Sequence, residues 1–299
     1  MELISLKYAI FVIVLLVLYY CFPKKYRWYV LLAGSMAYYV IICKWYVLFI
    51  IFTICTTYGS TIWIDKLLKK QNAIVKSHKE DWDRQTRKEY KEKGRKKRVA
   101  VMLFALLCNF GILAFLKYIP YAGELGLLLP LGISFYTFQS MGYVMDVYRE
   151  IVEPEKNFLK VALFVSFFPQ IIQGPIAIYD KLAGQLYEGH SLRLENLQKG
   201  ALLVLWGVMK KLVIADRAVN IINFVMDKPM DFSGTYVFFA AVVYALQLYA
   251  DFSGGIDIVR GIAEMFGITM STNFNHPYFS RSLTEYWPVS YTHLRAHET

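Results

Sequence analysis

Four apolar runs in the first 118 residues constrain this chain more than any other feature: Leu3–Phe22, Trp28–Cys43, Trp45–Ile64 and Val99–Tyr118. A helix rises about 1.5 Å per residue, so roughly 20 apolar residues cross the hydrocarbon of a bilayer. Lipid offers no hydrogen bonds to the backbone, so runs of this length span as helices. With 57% hydrophobic and 17% aromatic residues in 299, the chain is too apolar for one soluble core. The expected fold class is all-α, a polytopic membrane protein with three N-terminal transmembrane helices in residues 1–64. Leu3–Phe22 lacks a basic n-region and an Ala-x-Ala cleavage site, and is expected to be retained as the first helix.

Charge is concentrated in one place. Between Asp65 and Arg98 lie 14 Lys/Arg and 6 Asp/Glu, a net +8 of the chain's total of +10. A basic surface spread over a soluble domain would suggest nucleic acid; a single basic loop between spans does not, and no nucleic-acid partner is expected. By the positive-inside rule residues 65–98 are cytoplasmic. Lys24, Lys25 and Arg27 place the turn after the first helix on the same side, and hence the N-terminus outside. The loop is expected to be a solvated helix or a partly ordered segment, open to contact with anionic membrane lipid. Cys21, Cys43, Cys55 and Cys108 have no paired spacing, so neither a disulfide framework nor a metal site is expected.

Beyond Pro130 the apolar pattern is interrupted. Phe158–Tyr179 contains Pro169, Gln170, Gln173, Gly174 and Pro175, and Gly200–Met226 contains Lys210, Lys211, Asp216 and Arg217. Broken or re-entrant helices are tolerated at membrane depth only where protein or a water-filled cavity surrounds them. The densest interruption is in Leu248–Trp287, where Asp251, Ser253, Asp257 and Arg260 sit among apolar residues. Charged residues at bilayer depth face a protein interior and mark function. If a helix continues past Gly254-Gly255, then Ser253, Asp257 and Arg260 share one face. They form either a structural cluster or a substrate contact. The two glycines are a kink or a close backbone approach. Lys210 and Lys211 either snorkel to an interface, the favoured expectation, or bind a phosphate. Gln173 either lines a tunnel or satisfies freed backbone groups. Arg281 and Glu285 have the i,i+4 spacing of a helical pair.

Four stretches carry a family resemblance: Pro130–Arg149 (PLGISFYTFQSMGYVMDVYR), Phe168–Ile176 (FPQIIQGPI), Gly207–Arg217 (GVMKKLVIADR) and Leu248–Trp287. Together they resemble the membrane-bound O-acyltransferase family, in its bacterial branch of alginate O-acetylation and teichoic acid D-alanylation. The chain departs from that pattern at Ala250 and Gly255, where similar proteins carry Phe and Tyr. The resemblance implies a multi-helix bundle, incomplete here as a core over 99–287, in a multi-pass bacterial cell membrane protein. It implies transfer of an acyl group, most simply acetyl, to hydroxyls of an exopolysaccharide or cell-wall glycan. The donor would be acetyl-CoA or a carrier-protein acyl thioester, with no bound cofactor, and the partner an extracytoplasmic SGNH-type protein. Substrate or tunnel candidates are Gln173, Asp251, Ser253, Asp257, Arg260, Asn273, Asn275, Arg281 and Glu285. Alternatives are D-alanyl transfer to teichoic acid and a lipid-linked sugar transporter or flippase, which also uses broken helices around a polar interior.

The family's catalytic histidine is expected beyond Trp287, so no catalytic residue is expected within the chain. His78 and Asp83 have the spacing of soluble-faced glycerolipid acyltransferases but lack an apolar pocket and a glycine-rich phosphate element. His190 lies in a hydrophilic connection and His276 in an interfacial turn. His293 and His297 fall in a tail, residues 288–299, where PVSYTHLRAHET leaves the family pattern and reads as the translation of a sequencing-library adapter. The chain is therefore expected to be a truncated, inactive fragment.

Overall fold

The computed structural model describes residues 3–78, 81–118, 130–271, 278 and 282. The described chain is an all-α polytopic membrane protein. Three helical stretches, Lys24–Ser77, Arg84–Tyr118 and Gly234–Met265, are long and apolar enough to cross a membrane, and Leu6–Cys21 and Phe158–Gln173 are shorter apolar helices. The chain divides into two compact units, with the division falling inside the second helix at Leu31 and Leu32.

One unit comprises residues 32–171 and 178–187. It holds most of α2 (Arg27–Cys43), α3 (Val47–Ser77), α4 (Arg84–Tyr118), α5 (Ile133–Tyr148), α6 (Phe158–Ser166), the start of α7 (Phe168–Gln173) and α8 (Tyr179–Tyr187). The basic stretch 65–98 is largely helical, because α3 and α4 extend past their apolar parts and pack as an antiparallel hairpin. Asn109 Nδ2 donates to Thr56 Oγ1 at 2.9 Å in the apolar half, and Gln71 Nε2 to the Lys91 carbonyl at 3.2 Å in the basic half. Gln71 fits because residue 94 is glycine: its side-chain amide occupies the space that a Cβ would take.

Phe158–Tyr179 is broken, as its Pro and Gly content suggests. Phe167 leaves helical geometry between α6 and α7, and Pro169 sits in the first turn of α7, where its missing N–H is tolerated. Two backbone groups lose their helical partners at such a break, and both are satisfied by distant side chains. The Phe168 N–H donates to Ser35 Oγ at 3.1 Å, and the Phe164 carbonyl accepts from Gln139 Nε2 at 3.0 Å. Gln139 also reaches Gln170 Oε1 at 3.2 Å.

The other unit comprises residues up to Leu31, 172–177 and the chain from Glu188 onward. α1 (Leu6–Cys21) starts at Ser5, whose hydroxyl accepts from the Tyr8 N–H at 3.2 Å. Its C-terminal carbonyls are gathered by Arg27, which donates to Phe22 at 2.9 Å and to Tyr20 at 3.1 Å, and also to the His190 carbonyl. α9 (Leu194–Met209) continues through a π-helical segment, Lys210–Ala215, into α10 (Asp216–Met226). α11 (Gly234–Met265) returns antiparallel to α9.

Candidate functional site

The α9–α11 crossing is built on four glycines. A Cβ on Gly207 would fall 2.5 Å from the Gly254 carbonyl oxygen, and one on Gly200 would fall 2.5 Å from that of Gly261. Each helix presents two glycines seven residues apart, so both contacts lie on one seam. Small residues let helix backbones approach in lipid, where no hydrophobic effect drives the association. Of the two alternatives for Gly254-Gly255, a kink or a close backbone approach, the second is seen at Gly254. α11 stays helical through both residues, and the Gly207 carbonyl lies 2.8 Å from where a Cβ on Gly254 would be.

The π segment then shifts the seam. Continuing the seven-residue spacing from Gly207 would bring Ile214 inward, yet Ile214 is exposed and Ala215 is buried. One extra residue has been inserted, as a π turn does, and the next buried position is Ile222. The two lysines open this segment and meet the polar stretch of α11.

Lys210 Nζ donates to Ser253 Oγ at 3.1 Å and pairs with Asp257 Oδ2. Arg260 Nη1 reaches the other oxygen of Asp257 at 3.3 Å, so one carboxylate is held by two cations. Lys211 pairs with Asp251. The Gln173 side chain lies against Gly255, in the space a Cβ there would fill. The favoured expectation that Lys210 and Lys211 snorkel to an interface is therefore corrected for Lys210. Lys210 keeps only 11% of its side chain exposed and is neutralised by Asp257, whereas the Lys211–Asp251 pair stays partly exposed. Arg260 Nε is buried without a hydrogen-bond partner.

Of the residues singled out from the sequence, Gln173, Asp251, Ser253, Asp257 and Arg260 come together around the α9–α11 seam. Asn273, Asn275, His276, Arg281, Glu285 and the tail 288–299 lie outside the described residues. His78 and Asp83 form a turn: His78 stacks on Trp82 at 4.8 Å, and Asp83 Oδ2 accepts from the Gln85 N–H at 3.4 Å. The His190 N–H donates to Tyr19 Oη at 3.2 Å, in the cluster that Arg27 organises. Among the described residues, no group of three or more His, Cys, Asp or Glu could hold a metal ion. The cluster offers three cations, two carboxylates already engaged by them, and a serine hydroxyl. Such a set can orient a polar or anionic group beside a closely packed helix pair. Gln139 and Ser35, which motif reading missed, form with Gln170 a second polar group in the other unit. Only the Pro169 break hinted that partners would be needed there.

No protein-family model matches the chain. It is 32% identical over 224 residues to a peptidoglycan O-acetyltransferase of Helicobacter pylori, covering 62% of this chain and 42% of that protein. It is 37% identical over 162 residues to a probable alginate O-acetylase of Pseudomonas syringae, covering 54% of this chain and 30% of that protein. A teichoic acid D-alanyltransferase of Bacillus subtilis is 25% identical over 163 residues, covering 52% of this chain and 40% of that protein. These similar proteins are all membrane-bound O-acyltransferases. The chain spans less than half the length of these curated relatives. Charged residues at membrane depth require a protein-lined or water-filled surrounding, and the paired Lys210 and Asp257 meet that requirement within their own unit.

Proposed function

We propose that the protein is part of a membrane O-acyltransferase that moves an acetyl group to hydroxyls of a cell-wall or extracellular polysaccharide. The similarity to proteins named for peptidoglycan and alginate O-acetylation, at 32–37% identity, carries this reading. The donor is an acyl thioester taken from the cytosolic side, acetyl-CoA in the main reading, and an extracytoplasmic SGNH-type protein receives or places the group. Residues 65–98 face the cytoplasm and the N-terminus faces outward, as the Lys/Arg distribution demands. The α9–α11 cluster orients the polar end of a substrate: Lys210 and Arg260 attract a carbonyl or anionic oxygen, and Ser253 and Gln173 fix its direction. A general base must still accept the acceptor's proton. Neither His78 nor His190 is placed at the cluster, so in this reading the base lies outside the described residues, and the chain as written does not turn over.

D-alanyl transfer from a carrier-protein thioester is the second reading, favoured by the 25% identity to teichoic acid D-alanyltransferase. A lipid-linked sugar transporter is a weaker third, since the named relatives transfer acyl groups. The decisive experiment expresses the complete open reading frame of the source locus in a host lacking glycan acetylation and measures base-labile acetate on purified wall and extracellular polysaccharide. Ester-linked acetate supports the main reading. Ester-linked D-alanine without acetate replaces it with the second, and neither ester removes acyl transfer altogether.

A further inference from the structure

The basic halves of α3 and α4 enclose an open cavity of about 570 Å³, lined by Gln71, Asn72, Lys88, Lys91, Arg95 and Arg98 together with Leu68, Glu92 and Glu150. Its place along the helices is telling. Arg98 is the last residue before the apolar run that begins at Val99, and Lys88 lies about 15 Å further along α4 at 1.5 Å per residue. The cavity therefore starts at the edge of the hydrocarbon and extends through the depth of the lipid headgroups. Arg98 is held by Glu150 at 2.7 Å, whereas Lys88, Lys91 and Arg95 have no ion-pair partner among the described residues.

We propose that this cavity binds the headgroup of an anionic phospholipid that carries both a phosphodiester and free hydroxyls, of the phosphatidylglycerol type. The four cations meet the phosphate. Arginine suits it through paired N–H donors, and basic side chains near an anionic surface add attraction. The carboxylates in the same wall, Glu92 and Glu150, suit hydroxyl groups. Two carboxylates beside four cations match a singly charged diester with hydroxyls better than a soluble polyphosphate, which both carboxylates would repel. The bound lipid would fix the depth of the α3–α4 hairpin in the interface. The inference rests on the membrane location and not on the acyl-transfer reading.

The test is native mass spectrometry of the full chain in detergent, titrated with dioleoyl-phosphatidylglycerol or dioleoyl-phosphatidylcholine, with the wild type and K88Q/K91Q/R95Q. A second triple variant, K66Q/K76Q/K96Q, removes the same charge from the hairpin outside the cavity. The expected result is at least tenfold preference for phosphatidylglycerol in the wild type and in the control variant, falling at least fivefold in K88Q/K91Q/R95Q, which still elutes as a folded species. Equal retention of the two lipids by the wild type would overturn the proposal. So would an equal loss in both triple variants, which would mean a diffuse charge effect. Displacement of the lipid by glycerol-3-phosphate, coenzyme A or inorganic phosphate at equal concentration would also overturn it, because the site would then recognise a soluble phosphate.

Discussion

The α9–α11 crossing and the α3–α4 hairpin are both antiparallel helix pairs rich in Lys and acidic residues, and they handle charge in opposite ways. At the crossing, glycine seams bring the backbones together, and the lysines and carboxylates are matched into ion pairs, Lys210 and Asp257 nearly buried. In the basic half of the hairpin the helices emerge from the apolar region, and Lys88, Lys91 and Arg95 stay unpaired and open. Removing one partner from a buried pair leaves an uncompensated charge and is strongly destabilising, whereas an exposed pair contributes little. The same residue types are thus structural commitments in one place and a free surface in the other.

The largest way to break this comparison is Asp257→Leu. It strips the shared carboxylate from Lys210 and Arg260 at once, leaving Lys210 only Ser253 Oγ. The expected destabilisation is about 3–5 kcal/mol, read as a clear fall in the thermal midpoint of the detergent-solubilised chain. The double variant Lys210→Met with Asp257→Leu should recover part of it, since a matched pair is then replaced by apolar groups. An unchanged midpoint in Asp257→Leu would mean that water reaches the cluster freely, and the distinction between the two regions would fail.

Much of this was legible in the sequence, and the limit is physical. The apolar runs announced the helices because lipid demands about 20 apolar residues of any spanning helix, and Pro169 announced the break. Ser253, Asp257 and Arg260 share a face because their spacing is helical, so half of the cluster could be read locally. Their partners could not: Lys210 and Lys211 lie more than 40 residues away from Ser253 and Asp257, or close to it for Asp251, and meet them only through the glycine seam and the register shift of the π turn. The same holds for Ser35 and Gln139, which satisfy Phe168 and Phe164 from other helices. Pairing across elements depends on register, and register is a property of the packed helices.

A smaller effect sharpens the comparison at the backbone. Gly207→Ala places a methyl group within 2.8 Å or less of the Gly254 carbonyl and the Ile258 backbone nitrogen, so the helices must separate. Overpacking of this kind costs about 1–3 kcal/mol, more than the gain in helix propensity, roughly 1 kcal/mol. Gly111→Ala in α4 is the matched control: nothing lies within 4 Å of its Cβ position, so propensity alone acts and stability should rise. Thermal midpoints that move in opposite directions would support a close crossing in α9–α11, and a rise in both variants would show that the seam is not tight.

The smallest expected effect lies at the start of α9, before the glycine seam. Glu195 and Lys199 form an i,i+4 pair at 2.8 Å, with both side chains more than 60% exposed. Lys199 holds the Glu195 carboxyl below its usual range, chiefly through their hydrogen bond, and Glu195 raises the Lys199 ammonium in the same way. The signs give a window. The lowered Glu195 contribution is present above its unfolded pKa and is lost as pH falls through the folded one. The raised Lys199 contribution is present below its unfolded pKa and is lost as pH rises through the folded one. Any stabilisation is therefore confined to the range between the two groups, which includes neutral pH, where solvent and salt screen it. Lys199→Met should leave the thermal midpoint at pH 7 unchanged within error, at both low and high salt. A fall comparable to that of Gly207→Ala would mean that the first turn of α9 is sheltered from water, and the division between matched buried charge and unconstrained surface charge would have to be redrawn along this helix.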